Sequence, residues 1–268
     1  MRETTMRVGV QETMPEGGGS RSTGQVMVGL PAVATALKPF YRTAALPCPY
    51  VDGRTERKLI TEISGRNLAA FYSELSRAGF RRSHHLAYRP ACSGCQSCLP
   101  VRVPVASFQL TRSLRRVLGA NRDLACAAEP ARATTDQYRV FARYQRSRHA
   151  DSDMASMTYG DYRAMIEDSP VPTFLLAMRR GDQSLMAACL ADVLDDGLSA
   201  VYSYFDPAEA SRSPGTFSIL MLIEEARRRS LPYVYLGYWI GEARKMAYKT
   251  RFRPLEALTG AGWAPLGA

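Results

Sequence analysis

Cys92-Ser-Gly-Cys95-Gln-Ser-Cys98 sets three thiols at a two-residue spacing, on a loop bounded by Pro90 and Pro100. A tight turn brings sulfurs at this spacing to one side, where thiolates can converge on a single metal ion. A closed tetrahedral site needs a fourth ligand. Cys48, in Pro47-Cys48-Pro49-Tyr50, is the natural choice, with His84 or His85 as the next. The pattern fits a zinc or iron–sulfur centre, reduced thiols packed under a loop, or thiol–disulfide exchange, and spacing leaves these open. Cys126 and Cys189 stand alone and read as core residues. Six Cys in 268 residues are too few for a disulfide scaffold.

The second chemical signal is basic. The formal net charge is +10, carried by 31 Arg against four Lys, and a high-GC codon bias would account for part of that ratio. From Arg77 to Arg122 there are nine Arg and no acidic residue. Like charges without counterions repel one another, and a phosphate backbone relieves that cost, so a structured RNA is the expected partner; a solvated face is the competing account. The residues assigned to RNA are Arg81 and Arg82, after a first helix, and Arg112, Arg115 and Arg116, on or beside a second. A second basic group, Arg244, Lys245, Lys249, Arg251 and Arg253, lies near the C-terminus. No run of 18 apolar residues occurs and Val26–Leu37 lacks a charged leader, so a cytoplasmic protein without membrane or DNA partners is expected.

These residues must be held by elements. Residues 1–38, with Gly17-Gly18-Gly19-Ser20, have no period and read as a mobile tail. Leu68, Phe71, Tyr72 and Leu75 make one apolar stripe of a helix over Asn67–Ala78, capped by Asn67 and ended by Gly79. Further helices are expected over Ser113–Asn121 and over Asp136–Arg148, the latter behind Thr134 or Thr135. Thr173–Met178, Leu185–Val193 and Leu198–Phe205 read as strands, joined at Arg180-Gly181-Asp182 and Asp195-Asp196-Gly197. A helix over Thr216–Arg229 then leads to a short strand at Tyr233–Leu236. An antiparallel meander, a helix and a strand parallel to the last one define an α+β fold. A smaller Cys-containing, Arg-rich part is placed at 39–120, a transferase part at 121–258 and a tail at 259–268.

Longer motifs then become specific. Pro47-Cys48-Pro49-Tyr50, Gly53-Arg54-Thr55-Glu56-Arg57, Gly79-Phe80-Arg81-Arg82-Ser83 and Tyr88-Arg89-Pro90-Ala91-Cys92 resemble the N-terminal half of the aminoacyl-tRNA–protein transferases. Val101-Arg102-Val103-Pro104, Tyr233-Val-Tyr-Leu-Gly-Tyr-Trp239, Lys245-Met246-Ala247-Tyr248-Lys249 and Arg251-Phe252-Arg253-Pro254 extend the resemblance through residue 254. The triple-Cys spacing is similar to the bacterial branch, which transfers leucine to proteins beginning with Asp or Glu and so marks them for N-degron degradation. The resemblance implies a GNAT-like acyltransferase domain using charged tRNA in place of acetyl-CoA. It also implies no required cofactor, and acidic protein N-termini as the second partner. Acetyl-CoA users of this fold carry a small residue where this chain has Phe217, in Arg212-Ser-Pro-Gly215-Thr-Phe217, so CoA use is disfavoured.

The mechanism this implies needs no external activation, because the aminoacyl ester is already activated. An α-amine with a pKa of about 7.7–8.0 is partly neutral at pH 7 and can attack directly. Catalysis then requires alignment, oxyanion donors and a proton acceptor. The chain shows no Ser–His–Asp or Cys–His set, and His149 reads as a surface residue. Tyr202, Tyr204 and Asp206 are the candidate bases or relays; alternation puts the two tyrosines on one strand face, where packing in the core is the competing account. Lys245, Lys249 and Arg251 are assigned to the acceptor's carboxylate, or else to the tRNA end, with Trp239 or Tyr238 stacked on the terminal adenine or packed inside. Arginine transfer, CoA-dependent N-acetylation and a noncatalytic RNA- or metal-binding adaptor are the alternatives.

Overall fold

A computed structural model describes residues 38–150 and 152–267. The expected N-terminal tail therefore lies, apart from Lys38, outside the described residues. Lys38 itself is built in: its Nζ bonds Ser64 O and sits 5.5 Å from the centre of the Phe71 ring.

The first elements are short strands, β1 (Tyr41–Arg42), β2 (Leu46–Pro47), β3 (Thr55–Glu56) and β4 (Lys58–Glu62). Helix α1 (Leu68–Arg77) follows the expected stripe and buries Tyr72 and Leu75. Asn67 precedes it in the left-handed region (φ 53°) without a side-chain cap bond, and Gly79 (φ 84°) turns the chain out of it. Strands β5 (Arg81–Ser83) and β6 (Leu86–Pro90) complete an antiparallel sheet of order β1-β4-β6-β5, while β2 and β3 pair separately.

The large sheet has eight strands in the order β14-β13-β7-β12-β11-β10-β9-β8. Strand β7 (Leu99–Pro104) precedes α2 (Arg112–Ala120), β8 (Ala125–Pro130), α3 (Thr135–Arg148) and α4 (Tyr159–Glu167). The expected meander appears as β9 (Thr173–Arg179), β10 (Leu185–Leu194) and β11 (Gly197–Phe205). Helix α5 (Pro214–Arg228) then crosses to β12 (Tyr233–Trp239), and β13 (Glu256–Thr259) with β14 (Gly262–Pro265) close the chain. Every pairing in this sheet is antiparallel except β11 with β12.

Thr134 and Gln137 form a reciprocal capping box on α3, and Thr158 and Asp161 form one on α4, a helix that the apolar pattern does not reveal. Alternation along the strands feeds two cores. Leu176, Met178, Met186 and Cys189 face α5 and α2, whereas Leu175, Ala177, Ala188 and Leu190 face Phe141 of α3 and Tyr162 of α4.

The expected boundary at residue 120 is not a structural one. Strand β7 pairs with β12, and residues 256–265, expected as a tail beyond 258, add β13 and β14 beside β7. The described residues form one compact unit. The segment that reads as a separate Cys-containing domain supplies a strand to the heart of the large sheet.

Candidate active site

Parallel pairing of β11 and β12 lasts only three residues, from Gly197↔Tyr233 to Ser199↔Tyr235. Beyond it the strands part and leave a notch with unpaired backbone carbonyls, which must find other donors. Arg81, reaching over from β5, donates through Nη2 to Ala200 O and, at 3.1 Å, to Val201 O. On the other wall, the Nζ of Lys249 donates to Tyr238 O. The 3-10 segment Arg244–Arg251, which follows β12, delivers Lys249 to this position.

Gly237 makes the arrangement fit. It lies at φ 75°, where the β12–β7 register shifts. Any side chain there would collide with the Arg81 guanidinium. Lys249 is only 5% exposed. Burial, and then the Arg81 charge, hold its ammonium down at about 7, far below an ordinary lysine. Among the described residues neither Arg81 nor Lys249 has a carboxylate partner; the groups around Arg81 are phenols and a thiol, among them Tyr88, Tyr72, Tyr238, Tyr248, Tyr50 and Cys189. Tyr248, at the mouth, is pushed up to about 12 by burial.

The other expected site residues are placed as follows. Tyr202 is half-buried, accepts a hydrogen bond from Gln145 Nε2 at 2.6 Å, and is pushed up to about 12 by burial. Gln145 Oε1, enclosed beside it, has no partner among the described residues. Tyr204 does not serve the notch. It is 1% exposed, shares a 2.5 Å hydrogen bond with the Tyr162 hydroxyl, and packs edge-on against Phe141 in the second core. Asp206 is a structural tie: Oδ2 pairs with Arg180 at 3.2 Å and Arg143 at 3.3 Å, and Oδ1 accepts from Ala208 N. With both oxygens engaged, it is not held out as a base.

Arg81 and Arg82 leave the set assigned to phosphate. Arg81 is consumed by the notch. Arg82 forms a two-point ion pair with Asp192 (2.8 and 2.7 Å), its side chain 1% exposed. Arg112, Arg115 and Arg116 are exposed on α2 and pair with no described carboxylate. Arg251 donates to Thr216 Oγ1 at 3.4 Å, at the start of α5. Lys245 is exposed; partial burial, and then the charges of Lys245 and Arg148, hold His149 below the usual imidazole range. Trp239 packs on the α5-side core and also lines a groove of about 540 Å3 with Gln109, Thr250 and Arg253.

Phe217 is buried in the core rather than turned toward a ligand. What spoils a pyrophosphate cradle at α5 is its first turn: Pro214 lacks an N–H, and the Thr216 and Phe217 amides are both spent on Ser213 O.

The four thiols of the expected metal set are neighbours. Burial, then the charges of Cys48, Cys92 and Cys95, push Cys98 up to about 11. Hydrogen bonds from Ser97 and then Arg54 hold Cys95 down. Cys92 exchanges hydrogen bonds with the Arg57 backbone at 3.4 and 3.7 Å. Among the described residues, however, no group of three or more His, Cys, Asp or Glu side chains is placed to hold a metal ion. The zinc or iron–sulfur expectation therefore has no assembled ligand set, and no chemical step is assigned to one. Ser97 of this loop donates to Glu242, after β12, at 3.0 Å, and Arg54, just ahead of β3, pairs with the same carboxylate and bonds Ser97.

The sequence reading grouped Lys249 with the acceptor's cations and Arg81 with the RNA contacts, and did not single out Gln145; the structure brings Arg81 and Lys249 to one notch. One signal was present: a glycine inside the strand Tyr-Leu-Gly-Tyr-Trp marks a close approach by another group.

Comparison with known proteins adds an independent line. Residues 46–116 match the N-terminal part, and residues 136–259 the C-terminal part, of the family described as arginine-tRNA-protein transferase. The aspartate/glutamate leucyltransferase of Paramagnetospirillum magneticum is 59% identical, over 84% of this chain and 92% of that one. The aspartate/glutamate leucyltransferase of Granulibacter bethesdensis is 51% identical over 85% of each. Among solved structures, FemX is similar at a TM-score of 0.45 and 7% identity, over 78% of this chain and 81% of that chain. With both halves matched in order and identity above half along most of its length, the chain belongs to the arginine-tRNA-protein transferase family.

Proposed function

We propose that this protein transfers leucine from leucyl-tRNA to the α-amine of proteins beginning with Asp or Glu. The observation carrying this is the 47–59% identity, over most of the chain, to proteins named aspartate/glutamate leucyltransferase. The reaction is aminolysis of an ester already activated on the tRNA, so binding, alignment and proton transfer are all the protein need supply.

The exposed arginines of α2 are suited to tRNA phosphates. The Trp239–Arg253 groove near them is suited to the terminal nucleotide, an aromatic face and a cation being what a base and its phosphate require. Lys245 and Arg251, on the segment that also carries Lys249, are the cations proposed for the acceptor's carboxylate. In this reading the substrates meet, in GNAT-like fashion, where β11 and β12 part.

The deciding experiment incubates the protein with individually charged tRNAs and peptides beginning Asp, Glu, Arg or Ala. Leucine is expected on the Asp and Glu peptides alone. Arginine on the same peptides would replace the donor assignment, and transfer from no tRNA would overturn the enzyme reading.

A further inference from the structure

We propose that Lys249 is the proton shuttle of the transfer, taking the proton of the attacking α-amine on Nζ and returning it to the ribose oxygen as the ester breaks. This rests on the aminoacyl-transfer function proposed above. The position carries the argument. Nζ is anchored to Tyr238 O on one wall of the notch, opposite the Ala200 and Val201 carbonyls bound by Arg81. A neutral amine with one N–H spent on that carbonyl keeps its lone pair, and the lone pair is what a proton acceptor needs.

The surroundings favour the neutral form. Arg81, from β5, is the charged group facing Lys249. The titratable side chains around that pair are Tyr50 ahead of β3, Tyr72 from α1, Tyr88 from β6, Cys189 from β10, Tyr238 from β12 and Tyr248 from the 3-10 segment itself, with Tyr144 of α3 beside Tyr248. No carboxylate among the described residues neutralises either cation, so the ammonium is penalised twice, by burial and by repulsion. The other acceptors are weaker. Tyr204 is locked into the core and Asp206 is held by two arginines.

The step balances. The neutral α-amine attacks the ester carbon; the new N–C bond forms and the carbonyl π pair moves to oxygen. The resulting ammonium gives its proton to Nζ. When the carbonyl re-forms, the C–O bond to the terminal ribose breaks, and the departing oxygen takes that proton. Lys249 ends as it began, and the products are the peptide bond and free tRNA.

The chain has four lysines, Lys38, Lys58, Lys245 and Lys249, so lysine labelled with 13C at Cε gives a spectrum with four resonances. Assignment uses Lys38→Arg, Lys58→Arg and Lys245→Arg, with Lys249 identified by elimination in a chain that keeps it. The expected result is a Lys249 resonance with its midpoint within about a unit of pH 7. In single-turnover transfer from leucyl-tRNA, Lys249→Arg and Lys249→Met should lower the rate by about 10²–10⁴-fold while peptide KM changes less than threefold. Small alkylamines should partly restore Lys249→Ala.

A Lys249 midpoint near 10 overturns the proposal. So does Lys249→Arg turnover within tenfold of wild type, or a change confined to peptide KM, which would make Lys249 a carboxylate contact. Wild-type protein that transfers from no charged tRNA fails one step earlier and overturns the function itself.

Discussion

Arg81 and Gly237 share one volume: a Cβ on residue 237 would fall on the Arg81 guanidinium. The absence of a side chain on β12 is thus what lets a guanidinium from β5 cross the notch and bind β11. Gly237→Ala has no neutral solution, because the position also lies at φ 75°. Loss of about 2–4 kcal/mol is expected from backbone strain plus displacement of Arg81, read from urea midpoints. Combining it with Arg81→Ala should recover part of that loss, because the collision is gone; strictly additive losses would show that the two residues do not compete for space.

Arg82 and Asp192 test the removal of Arg82 from the RNA surface. Their two-point contact is closed to solvent, and Asp192 also accepts from Thr173 Oγ1 at 2.8 Å. Arg82→Met strands a buried carboxylate and should destabilise the fold by about 3–5 kcal/mol, whereas Arg82→Met with Asp192→Leu should cost much less. The salt dependence of tRNA binding by the folded fraction should match wild type. A shallower slope would return Arg82 to the set that meets phosphate.

On α2 the opposite pattern is expected. Leu114 and Val117 are its buried residues, so Arg112, Arg115 and Arg116 can be changed to Ala without touching the packing. The triple variant should keep its thermal midpoint within a few degrees and bind tRNA more weakly. The slope of log K against log salt should fall by about 0.7 for each phosphate no longer neutralised, so by about two if all three arginines engage. An unchanged slope would make these arginines an ordinary solvated face.

Legibility from sequence followed locality. The meander, α5 and the parallel strand were readable because apolar period and turn residues are local signals, and the observed bounds of β9, β10 and β11 differ from the expected ones by a residue or so. Helix α4 was missed because its stability rests on the Thr158–Asp161 capping box and on Tyr162 and Ile166 packing, and nine residues offer little periodicity. The segment split at residue 120 failed for a different reason: β7 finds its partner β12 about 130 residues later, and no local pattern announces such a pairing. Likewise nine arginines in an acid-free run look alike in a one-dimensional text. Only packing separates Arg81 and Arg82, turned inward, from Arg112, Arg115 and Arg116, turned out. The lysine of the notch was legible through the family motif, and its burial was not.

That burial has a thermodynamic consequence with a definite sign. Lys249 holds its proton more weakly in the folded chain, at about 7, than in the unfolded chain, where an ordinary lysine titrates near 10.4. Between those values unfolding takes up a proton, so stability rises with pH across that window. Below about pH 7 both states are protonated and the penalty is present in full. Above about pH 10 it has vanished. Lys249→Met removes the titration and adds a pH-independent loss, the hydrogen bond to Tyr238 O. The stability of wild type minus that of the variant should therefore climb by about 1.4 kcal/mol per pH unit from pH 7.5 to 9.5 and be flat below pH 6.5. Cysteines and tyrosines common to both proteins cancel in the difference. Urea midpoints at half-unit intervals measure it, and a difference flat throughout would place Lys249 at an ordinary lysine value, in contact with water.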